Sequence, residues 1–103
     1  MAKTKQEQIK ADLIDQLERN GTTGKYYMDL VNDYMALWET KMLLINDIET
    51  RGVVIEYVTQ AGTRNMKRND SVGDLVKVND RMVKLLVSLG IQPGQGGDVD
   101  DEM

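Results

Sequence analysis

Hydrophobic residues recur at steps of three and four through the stretch Lys25 to Arg51, which contains neither proline nor glycine. One line runs Met28, Val31, Met35, Trp38, Met42, Ile45. A second runs Tyr27, Leu30, Tyr34, Leu37, Leu44, Ile48, broken at Lys41. The lines are offset by one residue, or about 100° around a helix. A helix packed on one side needs a single apolar stripe of about that width. Two stripes predict two partners, one within the chain and one on a neighbouring subunit. At about 1.5 Å per residue this helix spans about 40 Å, longer than a small domain is wide.

The flanking patterns predict two more helices and a hairpin. Thr4 followed by Glu7 fits a capping box. Ile9, Leu13 and Leu17, with Ile14 beside them, mark one face of a helix over 5–20, which Asn20-Gly21 stops. Gly21-Thr22-Thr23-Gly24 reads as a turn with Thr22 or Thr23 as the next N-cap, and the long helix then covers 25–51. Residues 53–59 alternate Val53, Ile55, Tyr57 with Val54, Glu56, Val58, the period of a strand. A tight turn at Ala61-Gly62 returns the chain along Arg64–Arg68, placing Glu56 opposite Lys67 and Tyr57 opposite Met66. Ser71 with Asp74 reads as a cap pair for a helix over 71–89. Its seams are Leu75, Val78, Met82, Leu85, Leu89 and Val72, Val76, Val83, Leu86. Gly90 and Ile91 fit a Schellman end, and Pro93 stops the helix. The expected fold is mainly α: three helices with a long central one, and a β-hairpin or extended segment before the last. Residues 1–91 form a single helical oligomerising domain and 92–103 a disordered acidic tail. Met28, Val31, Met35, Trp38, Met42 and Ile45, with Leu75 and Met82, are the candidate subunit interface.

Charge and composition narrow the chemistry. The chain of 103 residues has no Cys and no His, which removes thiol chemistry, disulfides, the usual zinc sites and His-dependent catalysis. Asp29 and Asp33 lie four apart, but first-turn acids are favoured by the helix dipole without any metal. No phosphate loop or acid pair stands out, so neither cofactor, metal nor catalytic residue is expected. The start Met1-Ala2-Lys3-Thr4 is no signal region, and no apolar run reaches membrane-spanning length. The net charge of −4 is carried by Asp98, Asp100, Asp101 and Glu102 alone. Those four make either a solubilising end or a docking peptide for a basic partner. The densest basic cluster is Arg64, Lys67 and Arg68, which on a projecting ribbon either contacts DNA phosphates or guards an exposed strand edge. Lys3, Lys5 and Lys10 form a second basic group, a solvated helix start or a phosphate-contacting arm.

From Leu75-Val76-Lys77-Val78-Asn79-Asp80-Arg81-Met82 through Leu85-Leu86 to Leu89-Gly90-Ile91-Gln92-Pro93, the chain resembles a family of short, helical phage terminase small subunits. Tyr27, Leu30 and Tyr34 opening a long helix, then Glu49-Thr50-Arg51-Gly52-Val53-Val54, fit the same pattern. The resemblance spans about Gln8 to Pro93. It departs at Asn69-Asp70, where the family often has Asn-Pro, and in lacking a longer N-terminal portion. The resemblance implies a non-catalytic protein of the host cytoplasm that assembles into a ring, binds viral DNA and regulates a large ATPase and nuclease subunit. A ring needs a heterologous interface, which two-faced helices supply. The residues alone leave two other readings open: an adaptor that binds only protein, and a small dimeric DNA-binding regulator.

Overall fold

The computed structural model describes residues 3–22 and 24–91. Its order is α1 (Lys5–Arg19), α2 (Tyr26–Arg51), β1 (Val54–Val58), β2 (Arg64–Arg68) and α3 (Asp70–Ser88). Three helices with a two-stranded antiparallel hairpin before the last agree with the fold expected from the periodicities. The acidic residues 98–102 lie outside the described residues.

α1 begins with the expected capping box. Thr4 Oγ1 accepts from Glu7 N at 3.1 Å, and Glu7 Oε1 accepts from Thr4 N at 2.9 Å. The ends of α1 and α3 are both Schellman turns, in which the last carbonyls of a helix find donors beyond it. At the end of α3, Gly90 N donates to Val87 O and Ile91 N to Leu86 O. Gly90 turns the chain at φ 74°, where a side chain is costly.

α2 departs from expectation at its start. Its N-cap is Lys25, without a side-chain cap bond, rather than Thr22 or Thr23. Thr22 instead closes α1, donating its N–H to Leu17 O, and Gly24 at φ 103° redirects the chain between the two helices. The cap of α3 is Asn69, not Ser71 with Asp74. Asn69 Oδ1 accepts from Ser71 N at 3.0 Å, so Ser71 already lies inside the helix.

α3 runs back along α2. Lys41 Nζ donates to Asn79 Oδ1, and Ser71 Oγ donates to Asp47 Oδ2, which sets the two helices antiparallel and in register. α1 closes the other end. Leu13 and Leu17 pack with Val31, Met35, Leu89 and Ile91 in one buried cluster, flanked by Met28, Trp38 and Leu86. The turn after α3 is therefore part of the core, because Ile91 is pulled into it.

The hairpin register differs by one from the tight-turn expectation. Val54 pairs with Arg68, Glu56 with Met66, Tyr57 with Asn65 and Val58 with Arg64. Thr59 N donates to Thr63 O, and Gly62 N donates to Thr59 O, leaving three residues in the loop. Gly62 takes φ 83°, the left-handed residue that a three-residue loop places after its turn. An odd-numbered loop shifts every cross-strand pair by one relative to a two-residue one.

Candidate nucleic-acid interface

The hairpin projects from the helices: all of its ten strand residues except Ile55 are exposed. Its base is held by a polar node. Asp47, in the last turns of α2, receives Arg51 Nε at 2.7 Å and Arg51 Nη2 at 2.9 Å. Asp47 Oδ2 also accepts from Ser71 Oγ at 2.7 Å and Asn69 Nδ2 at 3.1 Å. Asn69 is fully buried and also donates Nδ2 to Gly52 O, while its backbone N–H reaches Val53 O. The end of α2, the root of β1 and the start of α3 are thus tied through one amide. Donation from Arg51, then Ser71 and Asn69, holds the Asp47 carboxyl well below the usual carboxylate range. The same pairing raises Arg51.

Strand alternation divides the basic cluster. With this register Arg64, Met66 and Arg68 share one face with Val54, Glu56 and Val58, while Lys67 and Asn65 share the other with Ile55 and Tyr57. Arg64 Nη1 stands 3.8 Å from Glu56, and Lys67 Nζ stands 3.7 Å from Asp70 and 5.8 Å from the Tyr57 ring centroid. Arg68 has no ion-pair partner among the described residues, and its guanidinium lies beside Gly73 of α3. The three cations are therefore neighbours along the chain but not a single patch. The ribbon presents two arginines on one side, separated by the exposed Met66.

Lys3, Lys5 and Lys10 are exposed on or just before α1. No hydrogen bond or ion pair joins them to the hairpin among the described residues. Of the candidate interface residues, Val31, Met35 and Met82 are buried within the chain itself. Met28 and Trp38 are partly covered against the same core, Ile45 and Leu75 are half-buried, and Met42 is exposed.

Two features escaped the sequence reading. The first is the Asp47–Asn69 node, whose local signals were an Asp and an Arg four apart and an Asn before a helix. The second is an open apolar groove of about 500 Å³ between α2 and α3, floored by Ala36, Leu37, Val78 and Leu85. Asp33 rims it from α2, and Lys77 and Arg81 from α3. Both cations are exposed and without an ion-pair partner among the described residues.

Fold and surface together define a small helical protein that leaves apolar side chains outside its core and bears a basic ribbon on a hydrogen-bonded root. The family model described as phage terminase, small subunit matches residues 11–100, and the chain belongs to that family. No curated protein and no solved structure matches it. Among the described residues no helix is long and apolar enough to cross a membrane.

Proposed function

We propose that the chain is the DNA-recognition and regulatory subunit of a phage packaging terminase, working without catalysis of its own in the host cytoplasm. In this reading it assembles with copies of itself, engages viral DNA, and modulates the large ATPase and nuclease subunit. The observation that carries the reading is the family match over residues 11–100. The hairpin supports a phosphate contact through Arg64 and Arg68, which share an exposed face of the ribbon, Arg68 at its base beside Gly73 of α3. Lys67, on the opposite face of the ribbon, and the α1 lysines Lys3, Lys5 and Lys10 contribute less. One copy of so few cations binds DNA weakly, and an assembly multiplies the effect through effective concentration. The acidic residues Asp98, Asp100, Asp101 and Glu102 are the proposed docking peptide for the large subunit.

The test is a salt titration of DNA binding by the assembled protein. The double change Arg64→Ala with Arg68→Ala lowers the log–log salt slope by about two for each subunit engaged, whereas Lys67→Ala lowers it by less than one. A slope unchanged by the double substitution removes the hairpin from the DNA contact. An intact assembly with no salt-dependent binding favours the protein-only adaptor, a reading that draws on the balanced charge outside the tail. A solution mass of two subunits favours the dimeric regulator.

A further inference from the structure

The outer face of α3 carries a row left exposed among the described residues. Val76, Val83 and Val87 are 64%, 54% and 71% exposed, and their spacing puts them on one line of the helix. The groove between α2 and α3 uses a different side of the same helix, that of Lys77, Val78, Arg81 and Leu85. A single copy therefore cannot fold its own stripe into its own groove. We infer that the Val76–Val83–Val87 stripe of one copy seats in the α2–α3 groove of the next, with the two α3 helices parallel. This inference rests on the self-assembly proposed above and specifies the contact.

Charge fixes the occupant and its direction. Asp80 flanks the valine line on the side turned toward the host's α3 when the helices run parallel. With no axial offset between copies, an incoming α3 sets Asp80 within about 1.5 Å of the level of Arg81 and Val76 within about 1.5 Å of that of Lys77, distances their side chains span. Lys77 and Arg81 are the groove's two cations, and neither has an ion-pair partner within its own chain among the described residues. Among the described residues Asp80 is held in its own chain only by Lys84 at 3.1 Å, an exposed pair that loses little by sharing. A different patch on each side makes the contact heterologous, and rotation about an axis along α3 keeps successive copies parallel, so the contact can repeat until it closes.

The experiment is light scattering across a concentration series on the full chain and four variants: Val83→Asp, Asp80→Arg, Arg81→Asp and the double Asp80→Arg with Arg81→Asp. All the changed positions except the groove arginine lie on the stripe or its flank, and all are exposed, so circular dichroism should show unchanged helix content. Val83→Asp and each single reversal raise the concentration at which the assembly dissociates by about tenfold or more, and the double reversal restores it toward the parent value. If the parent assembles but the single reversals leave its mass unchanged, or the double is no better than the worse single, the contact is overturned while self-assembly stands. The groove then belongs to another occupant, such as the acidic residues 98–102 or a foreign helix. A parent that stays monomeric at every concentration overturns both.

Discussion

Asn69 is the residue on which the hairpin's orientation turns. Its carbonyl oxygen caps α3, its amide donates to both Asp47 and Gly52 O, and it has no exposure to solvent. A buried amide whose partners are in place contributes modestly, but orphaning them costs far more, so the node acts as a unit. Its charged member sets a pH dependence. The folded Asp47 pKa lies below its unfolded value, so the stability it contributes is complete above the ordinary carboxylate range. That contribution is lost as pH falls from about 4 through the lower folded pKa. Denaturation followed between pH 7 and pH 2 should show this acid loss in the parent chain. It should be smaller in Asp47→Asn, which starts less stable at neutral pH; equal acid limbs would remove Asp47 from the account. The node was only half legible in the sequence. Ser71 and Asp74 have cap spacing, but Ser71 instead turns its hydroxyl to Asp47, 24 positions away, and Asn69 takes the cap. Local spacing does not register a partner so distant.

At the scale of elements, the helices and the hairpin differ in what holds them. α2 is anchored by Val31 and Met35 in the core, whereas the hairpin has its ladder and its root. A two-stranded ribbon with so little packing is marginal in water. Hydrogen exchange on dilute protein should therefore find the paired amides of 54–58 and 64–68 opening well before those of 31–38. Equal protection in the two regions would mean that the ribbon is covered. Element types were legible because a period repeated over many residues survives local exceptions: the α1 capping box, the α2 stripes and the Gly90–Ile91 end stand where the pattern puts them. The hairpin register was not, since it hangs on one residue of loop length. Ala61-Gly62 resembles a two-residue turn as readily as the last part of the three-residue one it forms.

As a whole the molecule is long and thinly filled. Its Cα radius of gyration is 18.5 Å, where a compact chain of this length has about 13 Å. Seven hydrophobic residues are buried among those described, while Leu43, Val76, Val83 and Val87 are left outside. A fold of this kind gains stability by mass action when copies associate. The melting temperature should rise with protein concentration; a midpoint constant over a hundredfold range would mean that folding and association are uncoupled. That both long helices have two apolar faces was visible in their spacing. Which stripe the chain keeps for itself was not, because α1 makes that choice by packing on Val31 and Met35, and no periodicity within α2 records it. The turn at Gly90 has a mechanical consequence. By drawing Ile91 into the α1–α2 core, it fastens that residue at the pole opposite the ribbon, with the length of α3, about 28 Å, between them. A pull applied at Ile91 would reach the ribbon only through the paired length of α2 and α3, so the two ends of the molecule are joined by a rod and not by a hinge.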